Sequence, residues 1–277
     1  MEILTLSSYE DVVQLALAED VGAGDITSAA TIPVDAIATA TMVFKTGGVV
    51  CGLDVAETVF HAIDPALDVT FLAADGDSVA AGTVVMAITG SARSILTAER
   101  VALNFVQRLS GVASQTRKLV DAIAGTTAQL TDTRKTTPGL RVLEKYAVRC
   151  GGGVNHRMGL YDAVLIKDNH IAVAGGVTAA LAACAGRAGK VEIEVDTLGQ
   201  LEEALGAGAK FVLLDNMAPA VLSQAVALNA GRAVLEASGG ITPATVRAVA
   251  ETGVDVISVG WITHSAPALD VGLDIAI

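Results

Sequence analysis

Aromatic side chains are almost missing from this sequence: Phe, Trp and Tyr together make up 3% of 277 residues, although hydrophobic residues reach 52%. A core built from such a chain has to be aliphatic, and abundant Ala, Val, Leu and Ile suit parallel strands covered by helices. Cysteine is scarce too. Cys51, Cys150 and Cys184 are too few and too widely spaced for a disulfide framework or a zinc pattern, which points to a reducing cytoplasm. No apolar run reaches the ~20 residues that spanning a bilayer requires, so no membrane role is expected. The stretch from Met1 to Asp11 has no basic residue and does not read as a signal peptide. Lys and Arg number 18 against 30 Asp and Glu, and the net charge of −12 argues against nucleic acid as the main partner.

The positive charge that is present is unevenly placed. Residues 93–167 hold 12 of the 18 Lys and Arg but only five acids, Glu99, Asp121, Asp132, Glu144 and Asp162. That segment is therefore at +7 inside a chain whose remainder sums to −19. It is either a basic helix face or a cationic pocket for a small polyanion, since a compact cavity attracts by its local field even when the net charge opposes it.

Two grammars divide the chain, and two domains are expected. In the first ~100 residues, helical patterns at 9–19 and Leu53–Ile63 alternate with strand patterns and glycine turns. Ala36–Phe44 and Val49–Cys51 flank Gly47-Gly48 as a hairpin would, and Leu67–Leu72 and Val84–Ile88 suit strands. Ser94–Ala124 reads as two helices broken at Ser110-Gly111. Short apolar runs then recur at 128–132, 163–167, 191–195, 211–215, 233–236 and 254–259. Helical stretches such as 140–150, 199–206, 218–228 and 243–252 lie between most of them, which argues for a parallel α/β barrel or open sheet.

Polar residues cluster where those runs end, the place where barrels carry their chemistry. Arg134 beside Lys135 offers a planar fork and a point charge, suited to a carboxylate or a carboxylate next to a phosphate. Pro138 fits the first turn of the following helix, with Thr137 as its N-cap. Gly151-Gly152-Gly153 exceeds what a helix end needs and leads into His156-Arg157, a second ligand-binding candidate. Lys167 closes an apolar strand, which is costly unless an anion or carboxylate meets it. Glu194 and Asp215, each ending a strand, together suit a hard divalent cation, because Mg²⁺ takes one or two carboxylates and completes its shell with water and phosphate. A carboxylate salt-bridged to Lys167 is the plainer reading, and it does not exclude this one. Ser238-Gly239-Gly240 and Gly260 end the last two strands, where small residues expose backbone N–H groups to a phosphate.

These residues lie in stretches that resemble the quinolinate phosphoribosyltransferase family, nearly end to end. The most specific are Thr131-Asp-Thr-Arg-Lys-Thr-Thr-Pro-Gly-Leu-Arg141, Glu144 to Arg157 with its triple glycine, Leu160-Tyr-Asp-Ala-Val-Leu-Ile-Lys-Asp-Asn-His170 and Glu236-Ala-Ser-Gly-Gly-Ile241. The resemblance implies an α/β type II phosphoribosyltransferase fold, an N-terminal α/β sandwich (residues 1–108, joined by the tail 266–277) beside an open-faced α/β barrel (109–265). It also implies a homodimer with shared active sites, Arg100 reaching the partner's site. By the same matching Arg134, His156, Arg157 and Lys167 bind quinolinate, and Lys135 sits between quinolinate and the sugar phosphate. Glu194 and Asp215 serve the ribose and the Mg²⁺–pyrophosphate side, and Ser238, Gly239 and Gly260 seat the 5′-phosphate. Trp261 departs from the small residue the pattern leads one to expect, and packing in the barrel wall is its expected role.

The implied reaction is displacement at the anomeric carbon of phosphoribosyl pyrophosphate by the pyridine nitrogen of quinolinate, followed by decarboxylation to nicotinate mononucleotide. Such chemistry asks for positioning and charge stabilisation. The alternatives are a related transferase acting on nicotinate or another anionic base, a molybdenum-transport-associated relative, and a non-catalytic binder of phosphoribosyl ligands. A monocarboxylate would need fewer cations, and a binder would not need both Glu194 and Asp215.

Overall fold

The computed structural model describes residues 5–187 and 189–276. In chain order its elements are α1 (Glu10–Val21), α2 (Ile26–Thr31), β1 (Ile37–Phe44), β2 (Gly48–Val49), α3 (Leu53–Ile63), β3 (Asp68–Phe71), β4 (Ser78–Val79) and β5 (Val84–Ser91). There follow α4 (Ala92–Ala122), β6 (Gln129–Thr131), α5 (Arg141–Cys150), β7 (Val164–Ile166), α6 (Asp168–Ala174), α7 (Val177–Ala183), β8 (Val191–Val195) and α8 (Leu198–Gly206). The chain closes with β9 (Phe211–Asp215), α9 (Pro219–Asn229), β10 (Val234–Ser238), α10 (Val246–Ala250), β11 (Val256–Ser258), α11 (Trp261–His264) and β12 (Val271–Ala276). One compact unit takes the chain up to Arg117, Thr136–Gly152 and the segment from Ile262 on; the other takes Lys118–Lys135 and Gly153–Trp261.

In the first unit an antiparallel sheet runs in the order β12-β1-β5-β3. Ala38, Ala40 and Met42 of β1 and Met86 and Ile88 of β5 alternate into the core, the period-two pattern of a sheet with one buried face. Gly47-Gly48 does not close the expected hairpin, for β2 pairs with β4 while β1 takes β5 and β12. The glycine serves a close approach instead. A Cβ on Gly48 would meet Leu269 and Ser114, and Val49 N donates to Ser114 Oγ at 2.8 Å.

The helix expected to break at Ser110-Gly111 is continuous over 31 residues. Ser110 and Gly111 form a narrow face of it. Ser110 Oγ accepts from Cys51 N and donates to Cys51 O, and a Cβ on Gly111 would collide with the carbonyl oxygen of Pro267. Helix α5 also begins later than expected: Leu140 is the N-cap, and Thr137 instead bonds Glu144 through both its N–H (2.9 Å) and its hydroxyl (2.7 Å). Glu144 is fully buried against Arg108 at 2.6 Å. Gly151 passes tightly over Ala113 and Thr116. These contacts tie residues 136–152 to the first unit.

The second unit is a six-stranded parallel sheet in the order β6-β11-β10-β9-β8-β7. Its outer strands β6 and β7 are not paired with each other, so the barrel is open-faced, as the resemblance implies. Helices α6 to α10 connect the strands in the βαβ manner. Ile193, Val195, Val212, Leu214, Leu235, Ala237 and Ile257 are buried, and between them Glu194 and Glu236 carry carboxyls while Leu213 stays apolar. Register aligns Glu194 with Leu213 and Leu213 with Glu236, and one step further along the strands Asp215 with Ser238. Period two therefore stacks two rows of functional side chains on one face of the sheet. Among the described residues, no helix is long and apolar enough to cross a membrane.

Candidate active site

A cavity of about 590 Å³ opens over those two rows, lined by residues of the second unit alone. Thr133, Arg134 and Lys135 reach it from the loop after β6, and Lys167 from the end of β7. Glu194, Asp215 and Ser238 come from β8, β9 and β10, with Gly239 just beyond. His156 and Arg157 complete it from the segment after the triple glycine. Of the eleven sequence-derived candidates nine line it, and Gly260 and Arg100 do not. The bare Cα of Gly260 accommodates the stem of Lys135, whose Cδ would lie 3.0 Å from a Cβ there. Arg100 is exposed on α4 in the first unit and has no ion-pair partner among the described residues.

The segment that carries His156 and Arg157 is pinned from below by Asp132, which is fully buried. Its Oδ2 accepts from Asn155 Nδ2 at 2.6 Å and its Oδ1 from His156 N at 2.9 Å. His156 is in turn held through its ring. Nδ1 accepts the Arg157 N–H at 2.8 Å, while Nε2 lies 2.9 Å from Glu192 Oε2 and 3.6 Å from Glu236 Oε2. Arg157 Nη1 donates to the carbonyl of Ala163 at 3.0 Å, which orients the guanidinium. Burial, followed by the charge of Arg134, lowers the proton affinity of Arg157, as expected of two cations brought to one cavity.

Two carboxyls lie under an anion-seeking cavity without defeating it. Burial and the neighbouring Glu192 raise Glu236 to about 7. Burial pushes Glu192 upward as well, but the bond with His156 and the charge of Lys190 at 3.1 Å prevail and leave it below its ordinary value. The carboxylate of Glu192 is thereby matched by Lys190, and Glu236 is largely protonated below neutrality. Neither residue was singled out as a site residue from the sequence. The available signals were the alternation of Glu192 with Glu194 and an acid inside the apolar run Val234–Ala237.

The opposite wall is acidic. Lys167 Nζ meets Glu194 Oε2 at 2.5 Å, so the salt bridge is formed. Asp215 Oδ2 accepts from Asn216 Nδ2 at 2.6 Å. Asn216 adopts a left-handed backbone (φ 54) and fills the space that a Cβ on Gly239 would need. Glu194 and Asp215 keep further oxygens available, and neither belongs to a cluster of three metal-ligating side chains among the described residues. An all-oxygen pair without a third protein ligand fits a cation that completes its shell with substrate phosphates and water. Trp261 does not line the cavity; its indole N–H donates to the carbonyl of Ile241 at 2.9 Å, tying the loop after β10 to α11.

Comparison with known proteins agrees along the chain. The model of the quinolinate phosphoribosyl transferase N-terminal domain matches residues 25–110, and that of its C-terminal domain matches residues 112–274. The carboxylating nicotinate-nucleotide pyrophosphorylase of Mycobacterium leprae is 44% identical over 273 residues, covering 96% of each chain. A probable carboxylating nicotinate-nucleotide pyrophosphorylase of Bacillus subtilis is 42% identical over 265 residues, 94% of this chain and 90% of that one. The solved nicotinate-nucleotide pyrophosphorylase of Francisella tularensis superimposes with a TM-score of 0.95 at 42% identity, covering 99% of this chain and 98% of that one. The chain belongs to the quinolinate phosphoribosyltransferase family.

Proposed function

We propose that this enzyme transfers the phosphoribosyl group from phosphoribosyl pyrophosphate to quinolinate, with loss of CO₂, to give nicotinate mononucleotide and pyrophosphate for NAD biosynthesis. One observation carries the reading: a single cavity sets Arg134, Lys135, Arg157 and Lys167 against Glu194 and Asp215. Two carboxylates on a pyridine ring call for more cationic partners than one carboxylate would, and Arg forks bind them in a plane. His156, held by Glu192 and by the Arg157 N–H, sets the edge of that base site. Lys135, whose stem rests on Gly260, stands between base and sugar phosphate, and Ser238 and Gly239 seat the 5′-phosphate.

The protein's contribution is arrangement and charge. Arg134 and Arg157 hold the ring so that its nitrogen faces the anomeric carbon, and bringing the two substrates together lowers the barrier by removing their free motion. As the bond to pyrophosphate breaks, positive charge develops on the ribose ring, and the Glu194 carboxylate on that wall stabilises it. Lys167, released from Glu194 by an incoming anion, passes its charge to the base carboxylate. Loss of CO₂ leaves an electron pair on the ring carbon beside the alkylated nitrogen, whose positive charge stabilises it, and a proton from water then takes the place of the lost carboxylate. Glu194 and Asp215 would hold Mg²⁺, which supplies charge neutralisation for the leaving pyrophosphate.

The same reading includes a cytoplasmic location and a homodimer whose sites are completed by Arg100 of the partner subunit; the exposed guanidinium on α4 supports that role. The test is incubation with carboxyl-labelled quinolinate, phosphoribosyl pyrophosphate and Mg²⁺, following CO₂ and nicotinate mononucleotide together. Stoichiometric release of both, lost on chelation, is expected. Consumption of nicotinate or another base without CO₂ would reassign the substrate, and ligand binding without turnover would make the protein a binder.

A further inference from the structure

The first unit buries two of the chain's three cysteines side by side. Cys51, which precedes the N-cap Gly52 of α3, has no exposed surface; Cys150, the last residue of α5, keeps 4% of its own. Their sulfurs and a carboxylate oxygen of Asp75 all lie within 4.8 Å of one another. The donor types are those of a soft-metal site, but Asp75 is already committed. Its Oδ2 accepts from Gly52 N at 2.8 Å and from the Tyr146 hydroxyl at 3.0 Å, and its Oδ1 from Leu53 N at 3.1 Å. The carboxylate caps α3, and the Cys150 sulfur is left to Cys51 and the Tyr146 hydroxyl.

The two thiols are not equivalent. Cys51 donates to the Cys150 sulfur, which holds the Cys150 thiol below its ordinary range, whereas burial drives the Cys51 thiol well above it. The less buried sulfur is therefore also the better nucleophile, the arrangement of an attacking and a resolving thiol. Cys184, partly exposed in the other unit, has no such neighbour among the described residues.

We propose that Cys51 and Cys150 form a peroxide-reactive dithiol that closes and reopens as an intramolecular disulfide. The co-reactant is hydrogen peroxide, the smallest two-electron oxidant of thiols. The Cys150 thiolate attacks one peroxide oxygen, the O–O bond breaks, the departing hydroxide takes up a proton as water, and the sulfur becomes a sulfenic acid. Cys51 then attacks that sulfur; the S–S bond forms, the S–O bond breaks, and a second water leaves with the thiol proton. Two thiols are oxidised by two electrons and one peroxide is reduced to two waters. A small thiol reductant reverses the step by exchange. The bond joins the end of α5 to the start of α3.

Peptide mapping of the full chain tests this. Purified protein is exposed to hydrogen peroxide, alkylated in denaturant and digested without reduction. The expected product is one cross-linked pair of peptides containing Cys51 and Cys150, abolished by dithiothreitol and unchanged in Cys184→Ser. In Cys51→Ser the sulfenic acid on Cys150 should persist and be captured by dimedone. The proposal is overturned if Cys51 and Cys150 are still alkylated at a peroxide dose that oxidises Cys184. It is equally overturned if Cys150 advances to sulfinic acid while Cys51 stays free. Mapping of the wild-type chain decides the matter even where a substituted chain fails to fold.

Discussion

Replacing Glu236 by Gln should make the protein less sensitive to alkaline pH, and the size of the effect follows from the burial of that side chain. Glu236 is 2% exposed, and desolvation with the neighbouring Glu192 raises its carboxyl from 4.5 to about 7. The folded state thus binds the proton more tightly than the unfolded chain does. Its contribution is fully present below pH 4.5 and is lost as pH rises through about 7. Each tenfold change in proton affinity is worth about 1.4 kcal/mol, so the whole window spans about 3 kcal/mol. Gln keeps the shape and never ionises. The melting temperatures of wild type and Glu236→Gln, followed from pH 5 to pH 8, should lie together or favour wild type at the acid end. They should separate by several degrees toward alkaline pH, with the variant more stable. Glu192 titrates in both proteins, so to first order its effect drops out of the difference. Parallel melting curves across the range would refute the reasoning, since they would mean that Glu236 ionises in the folded protein as readily as in water.

Three further outcomes are expected. Glu144→Ala removes the partner of Arg108 together with the acceptor for Thr137, and losing one member of a buried pair should cost about 3–5 kcal/mol in urea unfolding; a loss within experimental error would show the pair to be idle. Gly111→Ala sets helix propensity, worth about 1 kcal/mol in favour of Ala, against the collision with Pro267, and packing strain of about 1–3 kcal/mol should prevail. A higher melting temperature in that variant would mean that the tail segment yields freely. Arg100→Ala and Lys167→Ala should each lose most turnover, and refolding the two together should restore a substantial fraction if sites are shared between subunits. No recovery in the mixture would place Arg100 in its own subunit's site or outside any site.

What could be read from the sequence follows from what is local. Strand ends at Lys167, Asp215 and Ser238 announce themselves because an apolar run stops at a polar residue, and the cavity collects those residues. Two of the misread elements share one cause, a small residue whose purpose is a partner far along the chain. Gly47-Gly48 looked like a turn because Ser114 and Leu269 were invisible, and Ser110-Gly111 looked like a break because Cys51 and Pro267 were. Thr137 looked like a cap, but both its donors go to Glu144, seven residues on. Glu192 and Glu236 escaped for the same reason, since their relation to His156 exists only once three separate segments are brought together.

The pairing of β1 with β12 has a consequence for how the chain is made. Lys45 on the near side meets Asp274, 229 residues later, so the sheet of the first unit stays one strand short until the whole barrel has left the ribosome. Until then β1 presents an unpaired edge, the kind of surface that other chains can add to. Such long-range closure is slow compared with the βαβ repeats synthesised in between. The part of the molecule that is translated first is therefore the last to mature, and the period between the two is when a growing chain is most exposed to wrong partners.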